Sequence, residues 1–443
     1  MKTIISNEIA ITNPSQAIKD YCEKNLTLAN PDYINAQRMG RYTGNIDQNI
    51  ELFYINYNTW YLPFGTLRDI WEYIKDDYTL EFSHFMPLYM SGSINLYPYQ
   101  EKALKSLLYA KGGVLQAPCG SGKTNIGLQL IKEIGGRALW LTHTKELLKQ
   151  SKQRCEAYFT GDFGTITEGK IHIGKDITFA TVQTMCKIDP SIYKDAFNTI
   201  IVDECHHCVG TPTKIMSFYK VLSNCKARYK YGLSATLSRA DNLINCVFSI
   251  LGNICYTISK EDVADKIIKA QYEPIMLDYE YDKKLYCDTD GMIIHNKLID
   301  MLCEDARRNT DILMKIEALK GQGKQLVLTH RVAHAEFLAK CCGGVAITSK
   351  VKKRNFQEAD IIVSTYALAK EGLDIPSLQF LHLTTPQKNS SVTEQAVGRI
   401  ERNYEGKKTP ICFDYVDQTI GYCMVCFYKR RRILGQKKGK YYV

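Results

Sequence analysis

The octapeptide APCGSGKT at residues 117–124 has the composition of a loop that binds phosphate. Gly120 and Gly122 can adopt backbone angles that other residues avoid, so successive N–H groups can converge on phosphate oxygens. Lys123 would reach the β and γ phosphates of a nucleotide, and the Thr124 hydroxyl would ligate Mg²⁺. An alanine replaces the glycine that usually opens this pattern. The segment predicts a site for a nucleoside triphosphate.

Two adjacent carboxylates, Asp203 and Glu204, follow the apolar run at 199–202. A buried strand that ends in carboxylates delivers them to the carboxyl edge of its sheet, where ligands bind in open α/β folds. Asp203 would hold Mg²⁺ through its water shell, and Glu204 would accept a proton from an attacking water. His206 is interpreted as a polar coupling residue, and His207 receives no role.

Short apolar runs separated by helical segments predict the elements that position these residues. The first set of runs is 113–116, 138–142, 177–181, 199–202 and 229–233, and the second set is 325–329, 344–347, 361–364, 380–383 and 410–415. Short, continuous apolar runs are typical of parallel strands that are buried on both faces of a sheet. The fold class is therefore α/β, with two parallel-sheet lobes in tandem.

The first ninety or so residues differ from the rest because they are rich in Tyr, Asn and Asp. Alternation over 50–56 indicates strands, and 66–77 indicates a helix. We expect a small α+β accessory domain here. The predicted domains are residues 1–92 for this accessory domain, 93–255 for the first lobe, and 256–443 for the second lobe with a basic tail.

The composition excludes several classes of protein. In the 443 residues, 45% are hydrophobic and 23% are charged, which argues against a disordered, collagen-like or coiled-coil chain. We expect no membrane span and no signal peptide, and therefore a cytoplasmic protein. The 16 cysteines are expected to be reduced thiols. The C-x-x-C pairs at 205–208 and 423–426 leave zinc half-sites as an alternative.

The charge is unevenly distributed along the chain. The net charge is +10, yet residues 1–95 carry seven Lys or Arg against eleven Asp or Glu. The remainder is therefore strongly basic and is the part expected to bind a polyanion. The last fifteen residues are basic without an acid, and are interpreted as a helix end or a solvated tail.

Over about residues 96–415 the chain resembles the superfamily 2 helicases, whose fold is a pair of RecA-like lobes. The segment 96–100 resembles the one whose glutamine reads adenine, which implies that role for Gln100. The segments 141–147, 180–184, 234–236, 329–331 and 364–376 resemble further motifs of this family. The resemblance implies nucleotide contacts by Gln100, Gly120, Ser121, Gly122, Lys123, Thr124, Asp203, Gly372 and Asp374. It implies nucleic-acid contacts by Thr142, His143, Thr181, Gln183, Thr236, His330, Arg331 and Thr365.

The segment 395–402, QAVGRIER, resembles the sixth motif of the same family. Arg399 and Arg402 are three residues apart, so on a helix they would share one face. Two guanidinium groups aimed together suit a triphosphate, and they would act as arginine fingers supplied by the second lobe. Gln395 could position the attacking water. Together with Lys123 and Glu204, these three residues form the expected catalytic set.

The second and sixth motifs resemble those of the DNA-acting branch that includes XPB-like repair helicases and the phage UvsW type. The resemblance implies an ATP- and Mg²⁺-dependent helicase or translocase that moves on DNA and unwinds or remodels forked or branched DNA. A motor subunit of a restriction or defence complex, an RNA helicase, and a non-motor nucleic-acid binder remain alternatives. We expect a monomer, other replication or recombination proteins as partners, and the host cytoplasm as location if the protein is phage-encoded.

Overall fold

The computed structural model describes residues 1–118, 120–209, 211–235, 237, 243–259, 261–264, 267–348, 358–369, 375–404 and 406–434. The chain divides into two compact units, Met1–Asp262 and Val263–Val443. The first unit therefore includes both the predicted accessory domain and the predicted first lobe. The boundaries drawn from the sequence at residues 92 and 255 stay predictions. Within the part of the chain that the structure describes, every helix is too short or too polar to serve as a membrane span.

The amino-terminal part of the first unit is a small mixed sheet with helices packed on it. Its elements are β1 (Lys2–Ile5), β2 (Glu8–Thr12), α1 (Gln16–Asn25), β3 (Thr27–Ala29), α2 (Pro31–Arg38), β4 (Asn49–Glu51), β5 (Tyr54–Asn56), β6 (Thr59–Pro63), α3 (Leu67–Ile74) and β7 (Tyr78–Leu80). The sheet has the strand order β5-β6-β2-β1-β7. The alternating run at 50–56 forms two short strands in different sheets, because the chain leaves β4 after Glu51 and starts β5 at Tyr54. The predicted helix is α3.

The rest of the first unit is a larger, mostly parallel sheet. Its elements are β8 (Ser91–Gly92), α4 (Pro98–Ala110), β9 (Gly113–Gln116), α5 (Lys123–Ile134), β10 (Ala138–Thr142), α6 (Lys145–Tyr158), β11 (Phe159–Thr160), β12 (Phe163–Thr167), β13 (Lys170–His172), β14 (Ile177–Thr181), α7 (Val182–Met185), β15 (Thr199–Asp203), α8 (Pro212–Ser223), β16 (Tyr229–Ser234), α9 (Asn245–Leu251) and β17 (Ile254–Thr257). The larger sheet has the strand order β13-β12-β14-β10-β15-β16-β9-β17, and among its described strands only the β12–β13 pair is antiparallel, whereas β8 and β11 form a separate two-stranded antiparallel sheet. All five strands of the first predicted set are present.

The five-stranded and the eight-stranded sheets of the first unit share one hydrophobic core. Ile9 of β2 and Leu62 of β6 belong to the same buried cluster as Val114 of β9 and Ile200 of β15. The predicted accessory segment is therefore built into the first unit, which explains why it is not a separate compact body.

The second unit is a parallel sheet with helices. Its elements are β18 (Gln271–Leu277), α10 (His295–Glu304), α11 (Ala306–Ala318), β19 (Lys324–Thr329), α12 (Val332–Cys342), β20 (Val345–Ile347), β21 (Ile361–Thr365), α13 (Tyr366–Ala369), β22 (Leu378–Leu383), α14 (Ser390–Ile400), β23 (Ile411–Asp417) and α15 (Gly421–Ile433). The strand order is β18-β23-β22-β19-β21-β20, with parallel pairing throughout. The second predicted set of strands is present, so the α/β fold class is confirmed for both units.

The basic carboxyl-terminal segment begins inside α15. The guanidinium of Arg430 is buried and donates to both carboxylate oxygens of Asp414 on β23, at 2.7 and 2.8 Å. It also donates to the carbonyl of Gln387 at 3.0 Å. The interpretation of this segment as a solvated tail is therefore wrong for Arg430, because this residue ties α15 to the sheet. Lys437, Lys438 and Lys440 lie outside the described residues.

Candidate active site

The phosphate loop lies between β9 and the amino terminus of α5, as expected. Gly120 has φ 83° and Gly122 has φ 78°, both in the left-handed region that glycine adopts readily. A Cβ atom on Gly122 would lie 2.3 Å from Nε2 of Gln100, so the position is closed to larger residues by space as well as by angle. The N–H groups at the start of the 12-residue α5 add partial positive charge. The loop has the form of an anion cradle.

Lys123 is the first residue of α5, and its ammonium group faces the loop. Nζ donates to the carbonyl of Ala117 at 3.2 Å and lies 3.5 Å from Oε1 of Glu204. The side chain is only 10% exposed. The lysine therefore bridges the first residue of the loop and the carboxylate at the end of β15, the position from which it would meet a phosphate. Thr124 follows as the second residue of α5.

Gln100, on the first turn of α4, is buried behind the loop. Its Nε2 donates to the carbonyl of Ser121 at 2.8 Å, and its Oε1 accepts from the backbone N–H of Tyr97 at 2.9 Å. The Tyr99 hydroxyl donates to the same Ser121 carbonyl at 3.2 Å. Gln100 also makes a side-chain hydrogen bond with Tyr99, so its amide is engaged by the loop and by its own helix turn. Gln100 supports the loop, and its predicted contact with adenine stays a prediction.

Asp203 is the last residue of β15, and its carboxylate is almost completely buried. Oδ2 accepts a long hydrogen bond of 3.3 Å from the hydroxyl of Ser151 on α6. Burial raises the pKa of Asp203 strongly, and the neighbouring Glu204 raises it further, whereas Lys123 opposes the shift. The Lys123 ammonium therefore offsets only part of the effect of burial on this carboxylate. Ser151 is a member of the site that the sequence does not reveal, because no motif surrounds it.

Glu204 leaves the strand with φ 48°, an uncommon angle for a residue with a side chain. The next turn is a 3₁₀ helix, Cys205–Val209. Burial would raise the pKa of Glu204, but Lys123 first and the His206 imidazole next outweigh it, so the pKa lies below its ordinary value. The pKa of Asp203 is therefore raised and that of Glu204 is lowered. This difference is compatible with the two predicted roles, Mg²⁺ binding by Asp203 and proton acceptance by Glu204.

The residues present fit a magnesium ion. Asp203 and Thr124 offer oxygen ligands, which Mg²⁺ prefers. A divalent cation would also stabilise the buried negative charge of Asp203, whose pKa is raised by burial. Within the described ranges, no three His, Cys, Asp or Glu side chains gather closely enough to hold a metal ion by themselves. A donor set of one carboxylate and one hydroxyl suits an ion that keeps several waters and binds substrate phosphates. The fifteen described cysteines are free thiols.

His206 links the carboxylates to the neighbouring strand. Its Nδ1 lies 2.8 Å from the hydroxyl of Ser234, the last residue of β16, and 3.4 Å from Oε2 of Glu204. This contact agrees with the interpretation of His206 as a polar coupling residue. Thr236, which belongs to the same predicted motif as Ser234, lies outside the described residues.

Four predicted nucleic-acid contacts of the first unit lie together. Thr142 and Thr181 face each other at the ends of the paired strands β10 and β14. Both hydroxyls are buried and bonded within the protein, Thr142 to the carbonyl of Thr144 and Thr181 to the hydroxyl of Thr184, each at 2.9 Å. Gln183 is exposed, and its Nε2 donates to the carbonyl of His143 at 2.9 Å.

The predicted contacts of the second unit lie at the ends of β19 and β21, where Thr329 pairs with Thr365. His330 Nδ1 lies 2.7 Å from the hydroxyl of Thr385, and burial, followed by His295 and Arg331, lowers the pKa of His330 to about 4. The Arg331 guanidinium pairs with Asp300 of α10. The His330 ring is therefore neutral near pH 7. The Arg331 guanidinium would have to bind a phosphate while it is paired with the Asp300 carboxylate.

The sixth motif differs from its predicted geometry. Gln395 and Arg399 lie on α14, but the helix ends at Ile400, so Arg402 lies beyond it. The helix stops because the backbone turns to pair with the segment before β18: Ile268 donates to the carbonyl of Glu401 at 2.8 Å, and residues 267 and 402 form a β-bridge. The expectation that Arg399 and Arg402 share one helix face is therefore wrong.

Gln395 is buried, and its Oε1 accepts no hydrogen bond from any residue that the structure describes. An acceptor of this kind suits a water or a ligand hydroxyl. Gly372 and Asp374, the remaining predicted nucleotide contacts of the second unit, lie outside the described residues.

The fold and the site together define a class of protein. Two parallel-sheet units, a phosphate loop before α5, and a buried strand that ends in Asp203 and Glu204 are features of the superfamily 2 helicases, a class of ATP-hydrolysing nucleic-acid enzymes. The family model described as type III restriction enzyme, res subunit, matches residues 93–239. The chain is therefore related to the superfamily 2 helicases, and the resemblance predicted from its motifs is confirmed.

Individual relatives come from viruses and archaea. A protein of Acanthamoeba polyphaga mimivirus, named as a candidate ATP-dependent RNA helicase, is 29% identical over 351 residues, which cover 74% of this chain and 65% of that protein. The DNA 3'-5' translocase XPB2 of Sulfurisphaera tokodaii is 31% identical over 184 residues, 42% of this chain and 40% of that protein. The chain thus spans less than two thirds of the length of either relative.

A solved structure with the same fold is that of Dbp5 from S. cerevisiae bound to RNA and ADP BeF3. It is 16% identical, covers 78% of this chain and 89% of that chain, and has a TM-score of 0.56. At this identity the likeness shows the fold alone.

Proposed function

We propose that this chain is an ATP-driven helicase or translocase that moves on DNA and unwinds or remodels forked or branched DNA. The observation that carries the proposal is the 3.5 Å approach of Lys123 Nζ to Glu204 Oε1 beside the phosphate loop. A loop lysine and an ionised carboxylate that meet at the end of a buried strand can hold a triphosphate and accept a proton from the attacking water.

The chain's own residues divide the work of hydrolysis. Backbone N–H groups of the loop and the Lys123 ammonium would bind the phosphates, and Gln100 would hold the loop and contact adenine. Glu204 would take the proton, because its lowered pKa keeps it ionised near neutral pH. Asp203 and Thr124 would hold Mg²⁺, which supplies positive charge to the phosphates when bound.

In the second unit, Arg399 would supply further positive charge to the transferred phosphoryl group, and the buried amide of Gln395 would orient water. Arg402 keeps its proposed contact with the triphosphate, which it would make from the segment after α14. Gly372 and Asp374 complete the proposed nucleotide contacts.

The proposed nucleic-acid surface consists of strand ends in both units, at Thr142, His143, Thr181, Gln183, Thr236, His330, Arg331 and Thr365. The buried hydroxyls of Thr142 and Thr181 favour contact through backbone groups and through the exposed Gln183 amide. Such contacts to phosphate and sugar do not read sequence. Hydrolysis coupled to them would move the enzyme along the polymer.

DNA is the proposed substrate because the second and sixth motifs resemble the DNA-acting branch, and because one relative is named a DNA translocase. RNA is the competing substrate, since the mimivirus relative is named for it. A second function, the motor subunit of a restriction or defence complex, is favoured by the family model that matches residues 93–239. We propose a monomer that acts in the cytoplasm, in that of the host if phage-encoded, with replication or recombination proteins as partners.

The test is steady-state hydrolysis of Mg-ATP with single-stranded, duplex and forked DNA, and with RNA as competitor. We expect DNA to stimulate the wild-type rate and Lys123→Ala to abolish hydrolysis. Lys105→Ala, which removes an exposed lysine from α4, is the matched control and should retain activity. Turnover in Lys123→Ala that nucleic acid still stimulates would contradict the assignment, and a stable nuclease partner in a pull-down would favour the restriction motor.

Arg399→Ala tests the role of the second unit. An arginine finger is worth about 10³–10⁵ in kcat, so hydrolysis should fall by that order while nucleotide binding persists. The outcome that would remove Arg399 from the mechanism is an unchanged kcat in a folded variant.

A further inference from the structure

Three imidazole rings, those of His206, His207 and His143, lie in a row in the first unit. The ring centroids of His206 and His207 are 3.9 Å apart, and those of His207 and His143 are 4.1 Å apart. The two pairs of rings are inclined by 41° and 40°. His143 comes from the end of β10, whereas the other two belong to the turn after β15. The row therefore joins two segments that lie more than 60 residues apart in the sequence.

The two ends of this histidine row meet different parts of the proposed machinery. At one end, His206 Nδ1 lies 3.4 Å from Glu204 Oε2 and 2.8 Å from the Ser234 hydroxyl. At the other end, the His143 carbonyl accepts a hydrogen bond of 2.9 Å from the exposed Gln183 amide. One end thus contacts the proposed base, and the other lies in the proposed nucleic-acid surface.

His207 is also tied to the backbone of the base. Its N–H donates to the carbonyl of Glu204 at 2.9 Å, and Glu204 itself holds a left-handed φ of 48°. Because packed interiors do not deform continuously, a displacement of the His143 ring must be accommodated by the His207 ring and by the turn it belongs to. That turn sets the direction of the Glu204 carboxylate.

We propose that His207, together with His143, is a positioning pair that couples nucleic-acid binding at the ends of β10 and β14 to the orientation of Glu204. The proposal rests on the proposed function, since it requires hydrolysis that nucleic acid stimulates. The coupling is carried by contact between rings, so His207 acts through Glu204 and His143.

The test is the ratio of DNA-stimulated to basal ATPase in His207→Ala and His207→Phe, with oligothymidylate as the activating strand. In His207→Ala we expect stimulation to fall by about fivefold or more, the usual scale of coupling between sites, with unchanged basal kcat and KM for ATP. His207→Phe keeps an aromatic ring in the row and should retain stimulation. His172→Ala, an exposed histidine of β13, is the matched control and should behave as wild type.

A double-mutant cycle, measured at saturating DNA so that a direct contact of His143 with the strand does not limit the rate, tests whether the two rings act together. Once the row is broken by His207→Ala, the further change His143→Ala should cost little more maximal stimulation, so the two effects should not add. Wild-type stimulation in His207→Ala, an equal loss of basal and stimulated rates, or a phenylalanine variant as defective as the alanine variant would each overturn the proposal. A wild-type protein that hydrolyses no ATP with DNA or RNA would instead overturn the proposed function.

Discussion

At the scale of single residues, Glu204 shows how one backbone angle directs a site. A non-glycine residue in the left-handed region costs about 1–3 kcal/mol and persists only where the surroundings fix it. Here the buried end of β15 and the hydrogen bond from the His207 N–H fix it from both sides. The reversal after Asp203 sends the next carboxylate toward Lys123, so two adjacent acids reach different partners.

We expect Glu204→Gln to lower kcat by about 10²–10⁴-fold, because the amide keeps the shape of the side chain but cannot accept the proton. The KM for ATP should change little. Steady-state ATPase rates and binding of a fluorescent ATP analogue measure the two effects. Glu168→Gln is a close control, since Glu168 also has a positive φ, 51°, but lies exposed. Wild-type turnover in Glu204→Gln would show that another group is the base.

The residues that converge on the phosphate loop were predictable because each lies at the end of a strand or the start of a helix. Lys123, Asp203 and Glu204 are of this kind. Ser151 and the His143–His207 contact were not predictable, because they depend on how α6 and two strand ends pack across long stretches of sequence. Pairing of that kind leaves no periodic signal in the sequence.

At the scale of elements, α5 has a left-handed glycine at each end. Gly122 caps its amino terminus with φ 78°, and Gly135 caps its carboxyl terminus with φ 77°. The surroundings differ: a Cβ on Gly122 would lie 2.3 Å from Gln100 Nε2, whereas a Cβ on Gly135 meets nothing within 4 Å. The two positions therefore separate the effect of backbone angle from the effect of space.

We expect Gly135→Ala to destabilise the protein by about 1–2 kcal/mol, the cost of a left-handed alanine, and to leave nucleotide affinity unchanged. Gly122→Ala should cost more and should also weaken ATP binding, because Gln100 must move and release the Ser121 carbonyl. Urea unfolding and titration with an ATP analogue distinguish the two variants. Equal affinity in both would mean that Gln100 does not support the loop.

Continuous apolar runs predicted the central strands of both sheets, whereas the strands that escaped prediction lie mainly at sheet edges. β13 is exposed along its length, and β18 contains Pro274. Proline is tolerated at an edge because its missing N–H faces away from the ladder, and β18 is an edge strand. The end of α14 also escaped prediction, because its sequence permits further helix and only pairing with residues 267–270 stops it.

At the scale of the whole molecule, the amino-terminal sheet is fastened to the larger sheet by a buried polar network as well as by the shared core. The Glu8 carboxylate accepts hydrogen bonds from the hydroxyls of Tyr219 at 2.5 Å and Tyr54 at 3.0 Å. Lys230 is completely buried, and its Nζ donates to the Asn7 carbonyl at 3.0 Å and lies 4.4 Å from the centre of the Phe64 ring. Breaking this network leaves buried polar groups without partners.

We expect Tyr219→Phe to destabilise the first unit by about 1–3 kcal/mol, because it removes one hydrogen bond from a buried carboxylate. Tyr193→Phe is the matched control: the Tyr193 ring is as deeply buried, but its hydroxyl has no hydrogen-bond partner among the described residues. Its removal should be neutral or slightly stabilising. The urea unfolding midpoints of the two variants measure these changes in stability. Equal midpoints for Tyr219→Phe and Tyr193→Phe would argue against a stabilising role of the network.

Lys230 predicts a pH dependence of stability. Burial lowers the pKa of Lys230 from 10.5 to about 8. Between these values the unfolded chain keeps a proton that the folded chain has lost, so this lysine makes stability rise with pH across that window, by about 3 kcal/mol in total. Lys230→Met should remove this rise, as seen in the difference in Tm between wild type and variant from pH 8 upward. Lys220→Met, at an exposed position on α8, should leave the rise intact.

The shared core also imposes an order on biosynthesis. Ile5, Ile9 and Ile11 leave the ribosome long before Ile250 and Leu251, yet all five residues belong to the same core. Until then the nascent chain carries apolar strands without their final covering, the condition in which chaperones bind and aggregation begins. A pause in translation before residue 251 would therefore prolong the time during which this core is incomplete.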